Sequence, residues 1–237
     1  MKVKDGTPEY ILIEPTEEIV EINEWKKGIV AVLQKAEIED VNRVGITLHR
    51  NHQDFEQRSD YLIRSGFEHY ASKVDVYREL DDMEEYHPYT WRTLEDHRCT
   101  EEGFMELWGM CMQGSDNAAS TLSMEQHLQS VKLELGFRWK HSCRIFYQED
   151  QPIGIAIPHI EQGTTTEGRL FYFGVLQGIR SKGTGTCMHR QALTCLKEMG
   201  AKYYVGSTHQ KNLKMQRVFQ KNGCHITGCT ESYYKYY

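Results

Sequence analysis

From residue 89 onward the apolar positions keep changing period. "YTWRTLED" (89–96) alternates and predicts a strand. "TEEGFMELWGMCMQ" (100–113) predicts a helix with Thr100 as N-cap and Phe104, Leu107, Trp108 and Met112 along one side. "TLSMEQHLQSVKLEL" (121–135) predicts a second helix closed near Gly136. "SCRIFYQ" (142–148) and "PIGIAIPHI" (152–160) flank the short polar turn Glu149-Asp150-Gln151, as adjacent antiparallel strands do. After the loop "GTTTEG" (163–168) comes the strand "RLFYFGV" (169–175). In the next helix Met188, Ala192, Cys195, Leu196 and Met199 fall on one stripe, and Gly200 ends it. "KYYVGS" (202–207), "NLKMQRVFQKN" (212–222) and "HITGCTESYYKYY" complete the order as strand, helix stopped by Gly223, and strand. Such an order predicts an α/β fold with a mixed sheet, antiparallel strands first and crossover helices later.

The chain before this region predicts a smaller unit. Pro88, with the acidic "ELDDMEEYHP" before it, marks a boundary, giving 1–88 and 89–237. Residues 42–80 read strand, helix, glycine, strand, as do residues 203–237, with Gly66 and Gly223 in equivalent places. Identity between the two segments is thin, so an internal repeat and a chance likeness of two such units both stand. The tail "SYYKYY" (232–237) suits either an edge strand buried against the N-terminal unit or a dimer contact.

Charge adds what the pattern does not. The net charge of −6 argues against nucleic-acid binding as the general role. It is unevenly spread: residues 171–223 carry +8 and residues 1–170 carry −14. The basic segment favours an anionic ligand. The whole chain's seven cysteines, with no CxxC pair, read as reduced thiols and not as a disulfide frame or zinc knuckle, and no metal is expected. No stretch reaches the roughly 18 apolar residues of a membrane span. The opening "MKVKDGTPEYILIEPTEE" lacks the apolar core of a signal peptide, and a cytoplasmic location is expected.

Between the strand at 169–175 and the next helix lies "GVLQGIRSKGTGTCMHRQAL" (174–193). A Walker A loop needs GxxxxGK[ST], but Thr184 follows Gly183 where lysine belongs. A Rossmann turn needs GxGxxG, but Met188 takes the third glycine position. What remains is Arg180-x-x-Gly183-x-Gly185 at a strand-to-helix turn. Glycines let the backbone turn tightly and approach a ligand. The unpaired N–H groups at a helix start, at the positive end of its dipole, can hold a diphosphate. A turn that binds nothing is the plain alternative.

The surroundings of that turn resemble the GNAT superfamily of acyl-CoA-dependent N-acyltransferases. Its [R/Q]xxGxG/A signature, with a valine five residues ahead, reads here as Val175, Arg180, Gly183 and Gly185. A second element, an Asn opening the next helix and an aliphatic–aromatic pair before a Lys-rich turn, reads as Asn212, Val218-Phe219, Lys221 and Gly223-Cys224. The resemblance covers about 89–237. It implies a central mixed sheet flanked by helices; residues 1–88 lie outside it, as a smaller α/β unit that an internal repeat would make a degenerate half of the same fold.

The resemblance further implies that strand 169–175 splays from strand 202–207 and admits the pantetheine arm of acetyl-CoA. The arm would meet backbone groups at Val175 and Leu176, with the pyrophosphate on the amides of Arg180, Ser181, Lys182, Gly183, Thr184, Gly185 and Thr186. Asn212 would bond the arm or merely cap its helix, and Lys182, Lys211 and Lys214 are candidates for the ribose phosphate. A neutral amine would attack the thioester, and an N–H near Leu176 would stabilise the oxyanion. Many family members place a tyrosine acid where this chain has Phe219. The remaining candidates are Tyr172 and His209 as acid and Glu167 as base through a water, with core, cap and solvated-loop roles as their alternatives. The acceptor would be a small-molecule or peptide amine; the acidic excess in 1–170 suits a cationic one such as a polyamine, an aminoglycoside or a lysine side chain. A non-catalytic acyl-CoA sensor or scaffold is the first rival, and a nucleotide-binding module the second.

Overall fold

The computed structural model describes residues 2–14, 20–116, 120 and 122–237. The chain forms two compact units: Met1–Asp75 with Thr227–Tyr237, and Val76–Ile226. The last strand returns to the first unit.

The first unit contains β1 (Lys2–Gly6), β2 (Tyr10–Glu14), α1 (Ile22–Ile38), β3 (Arg43–His49), α2 (Phe55–Arg64), most of β4 (Glu68–Glu79) and most of β10 (His225–Tyr236). Its strands lie in the order β1-β2-β3-β10-β4. β2 and β3 are parallel, while β10 and β3 are antiparallel from Thr230↔His49 to Tyr236↔Arg43. Residues 232–236 therefore form the last part of an interior strand, and the edge-strand reading of the tail is corrected. The cause is apolar: Tyr233 is buried with Ile46, Leu62 and Trp25 in the core between this sheet and the two helices. The strand–helix–glycine–strand pattern read over 42–80 is present as β3, α2, Gly66 and β4. The strands β1 and β2 and the helix α1 were not read from the sequence.

The second unit holds β5 (Thr90–Thr93), α3 (Glu101–Met112), α4 (Met124–Leu135), a short α5 (Trp139–Ser142), β6 (Arg144–Gln148), β7 (Gln151–Ile160), β8 (Glu167–Val175), α6 (Thr184–Glu198), β9 (Tyr203–His209) and α7 (Leu213–Lys221). The sheet runs β4-β9-β8-β7-β6-β5, with β5 to β8 successively antiparallel and β8 parallel to β9. This is the mixed α/β class, with helices flanking a large mixed sheet. Local chemistry explains the boundaries. The Thr100 side chain accepts the Gly103 amide at the start of α3, and Ser123 with Gln126 forms a capping box at α4. Glu149 and Asp150 both take positive φ in the β6–β7 hairpin, the geometry whose twist matches the strands, so Gln151 belongs to β7 and not to the turn.

The sheet of this unit is covered on both faces. Phe104, Trp108, Leu128 and Val131 of α3 and α4 pack on Ile155 and Ile157 of β7. On the other face Met188, Ala192, Leu193 and Leu196 of α6 join Ala156, Val175 and Tyr204. α6 is buried more widely than one stripe, since His189, Gln191 and Thr194 are buried as well, and Met199 is only half-buried. Gln191 answers for its burial by bonding both the N–H and the C=O of Tyr89.

Candidate functional site

β8 and β9 pair only at Glu167↔Tyr203 and Gly168↔Tyr204. From Arg169 onward the two parallel strands run on with no register partner between them. Where strands part, every second backbone N–H and C=O loses its ladder partner. The glycine turn stands at the open end of this gap, because it follows directly on β8.

Three hydrogen bonds fix the turn. Arg180 donates from Nε to the Val175 carbonyl (2.8 Å), from Nη1 to Gly114 O (2.9 Å) and from Nη2 to Cys111 O (2.8 Å). Its guanidinium thus pins the end of β8 to the end of α3, and the family-signature arginine is anchored to protein carbonyls through its side chain. Gly183 adopts φ +86°, a left-handed conformation suited to glycine, and a Cβ there would meet nothing within 4 Å. At Gly185 a Cβ would meet Val175 and Val218 only at ordinary contact distances of 3.7 and 3.9 Å.

The amides of the turn divide into two sets. Arg180 N–H donates to Gln177 O (3.3 Å), and Thr186 N–H to Gly183 O (2.9 Å). These two are corrected out of the expected diphosphate donors, because the turn and the first helical turn already use them. Among the described residues, none of the amides from Ser181 to Gly185 donates to a backbone carbonyl. They stand at the start of a 15-residue helix, where the dipole favours an anion.

Leu176 needs a second correction. Its N–H donates to Ile153 O at 3.0 Å, so it has no proton for an oxyanion. Donor direction alternates along a strand, so the Val175 N–H points away from β7 and into the gap.

The three expected acid–base residues are dispersed. Glu167 sits at the paired end of the gap, where Arg169 Nε bonds its Oε1 at 2.6 Å and the Tyr203 hydroxyl stands 3.5 Å from its Oε2. At a strand rise of about 3.3 Å per residue, it lies roughly 26 Å along the sheet from Val175. Continuing the β8–β9 register places His209 level with Phe173. His209 Nδ1 accepts the Lys211 amide (3.2 Å), so the neutral ring carries its proton on Nε2 and has no lone pair to spare. The structure makes it a turn cap. Tyr172 is half-buried against Trp108, ring centroids 5.1 Å apart, and its phenol lies over Gly174, where a Cβ would overlap the hydroxyl. Burial raises its pKa above the usual phenol value, so it is protonated at neutral pH. The other ligand candidates are also accounted for. Asn212 Oδ1 accepts the Met215 amide (3.0 Å) as the α7 cap, Lys214 pairs with Asp116 (3.0 Å), and Lys182 and Lys211 are exposed.

Two residues not singled out in the sequence support the mouth of α6. Asn222 Nδ2 donates to Thr186 O (3.1 Å) and lies 2.9 Å from His189 Nδ1. His189 is fully buried among Phe173, Tyr204 and Phe219, and burial pushes its pKa down to about 3. Phe219 is itself buried, 2% exposed. The sequence signal for the pair was a histidine one place from the Met188 stripe and an asparagine at the end of the last helix.

The sequence matches the family model described as the acetyltransferase (GNAT) family over residues 102–224, more than half of the 237 residues. No curated protein matches the sequence. Among solved structures, a functionally unknown conserved protein from Staphylococcus epidermidis is similar with TM-score 0.64 and 11% identity, over 96% of this chain and 84% of its own. A GCN5-related N-acetyltransferase from Sphaerobacter thermophilus gives 0.61 and 13%, over 99% and 75%. A tandem GNAT protein from the clavulanic acid biosynthesis pathway gives 0.60 and 12%, over 98% and 76%.

Proposed function

The chain belongs to the acetyltransferase (GNAT) family, and from that premise we propose that it transfers an acetyl group from acetyl-CoA to a primary amine by direct attack. The observation that carries this reading is the gap: β8 and β9 pair only at their first residues, and the amides of Ser181 to Gly185 stand at its mouth. The diphosphate of CoA rests on those amides, and the pantetheine arm lies between the strands. Its polar groups take the place of the missing ladder partners.

The acetyl carbonyl then lies near the Val175 N–H. A neutral amine adds to the carbonyl carbon, the oxygen gains negative charge, and the fixed amide stabilises it without reorganising. As the C–N bond completes, the C–S bond breaks and the sulfur takes the electron pair. The Tyr172 hydroxyl, which lies over Gly174 next to Val175, gives the thiolate a proton. The ammonium proton passes to solvent water, since His209 is a cap and Glu167 lies at the far end of the gap. Residues 1–88 are a degenerate second copy of the fold, a reading supported by β3-α2-Gly66-β4 repeating β9-α7-Gly223-β10. The acceptor is a small-molecule or peptide amine, a cationic one on the charge of residues 1–170.

Calorimetry with CoA and a thiol-release assay over an amine panel test the reading. Micromolar CoA binding and turnover are expected, with Tyr172→Phe lowering kcat about 100-fold. Competition by ATP and none by CoA would refute it. A second reading, a non-catalytic acyl-CoA sensor, is favoured by Phe219 at the family's tyrosine position; CoA bound and never turned over would establish that reading instead.

A further inference from the structure

At the end of β8 away from the glycine turn, the second unit buries a group of charged side chains that acyl transfer does not use. His159 stands near the end of β7 and Glu161 just beyond it, two residues on. Glu134, in the last turn of α4, is within reach of His159. The His159 side chain is 5% exposed and the Glu161 side chain 1%. His159 Nε2 lies 3.8 Å from Glu134 Oε1 and 3.6 Å from Glu161 Oε2, both beyond hydrogen-bond length. Neither ring nitrogen of His159 has a hydrogen-bond partner among the described residues. A buried polar group left so loses its hydration without compensation, and folded proteins rarely leave one.

Those separations suit a different interaction. Two donors each about 2.1 Å from a tetrahedral ion are roughly 3.4 Å apart. The donor atoms of Glu134, His159 and Glu161 all lie within 4.8 Å of one another. Charge points the same way. Beside them, Arg169 Nε bonds Glu167 at 2.6 Å and stands 3.4 Å from Glu161 Oε2. Glu161 and Glu167 thus share the Arg169 guanidinium, and a dication would add positive charge beside these carboxylates.

We propose that Glu134, His159 and Glu161 bind a divalent transition ion of the zinc class. One imidazole nitrogen and two carboxylate oxygens suit that class, and three protein ligands leave a position for water. Arg169, pairing with both Glu161 and Glu167, orients the Glu161 carboxylate from outside the ligand set. The ion fastens the end of α4 to β7 and takes no step in acetyl transfer. His-x-Glu at the end of a strand, with a glutamate 25 residues before the histidine, is no recognised ligand spacing, so the site is not legible in the sequence.

The test is a Co²⁺ titration of the chelator-stripped full chain, with Zn²⁺ as competitor. One equivalent should bind, with visible bands of a four-coordinate nitrogen–oxygen site, and Zn²⁺ should displace it and raise the thermal midpoint. Glu161→Gln, nearly the same shape, and His159→Asn should each weaken binding at least about 10-fold, with circular dichroism confirming the fold. The wild-type titration stands even if a variant fails to fold. No stoichiometric binding, binding of Mg²⁺ or Ca²⁺ alone, or equal affinity in folded variants would overturn the site. So would a thiolate-to-cobalt band, which would place the ion on the free cysteines.

Discussion

The chain uses strand, helix, glycine and strand twice, to opposite ends. In the first unit β10 pairs β3 without a break from Thr230↔His49 to Tyr236↔Arg43. In the second, β9 leaves β8 after Gly168↔Tyr204. Gly66 and Gly223 both take positive φ where their helices end, so the stop is shared. A paired strand spends its backbone groups on structure. A parted strand keeps them for a ligand, and here a turn of free amides stands beside it. The contrast teaches where to look in such a fold: at the ladder that stops early, and not at the helix that stops correctly.

The comparison breaks most sharply at Gly185. Gly185→Trp fills the mouth of the gap, and CoA affinity should fall more than about 1,000-fold by calorimetry, a loss of about 4 kcal/mol. Binding near the wild-type value would remove the turn from the site.

The next effect concerns pH. The folded pKa of His189, about 3, lies below the ordinary 6.5, so between those values the unfolded chain binds the extra proton. The neutral ring's contribution is complete above pH 6.5 and is lost as pH falls toward 3, by at most about 1.4 kcal/mol per pH unit. Urea midpoints should show this slope, and His189→Leu should flatten it; an unchanged slope would assign the acid sensitivity elsewhere.

Removing Arg180 should cost less. Arg180→Ala strips donors from the carbonyls of Val175, Cys111 and Gly114, and a loss of about 2 kcal/mol in urea unfolding is expected, with weaker CoA binding. Unaltered stability would mean that the end of α3 is not held through this side chain.

The smallest effect sharpens the comparison. Gly66 and Gly183 share φ +86°. Alanine at either should cost about 1–2 kcal/mol of stability through backbone strain, but only Gly183→Ala should also weaken CoA. Equal effects on CoA would leave the two units functionally alike.

Much of the second unit was legible because its elements carry local signals: Thr100 and Ser123 as caps, Gly136 and Gly200 as stops, and alternation in β7 and β8. The mixed α/β class followed from their order. The glycine turn was legible as a motif, yet which amides it leaves free was not. Arg180 N–H, Thr186 N–H and Leu176 N–H are used up by carbonyls whose positions only the folded chain decides. His189 and Asn222 escaped for a similar reason, since their pairing joins two helices 33 residues apart. The return of residues 227–237 to the first unit is a long-range pairing with no local mark beyond its tyrosines.

The central claim is that CoA is held by the amides of Ser181 to Gly185, with its arm between β8 and β9. An amide NMR titration with CoA addresses it directly. The account predicts saturable shifts at residues 181–185, at Phe173 and Val175, and along residues 205–209. Shifts confined to other parts of the chain, or none at millimolar CoA, would contradict it.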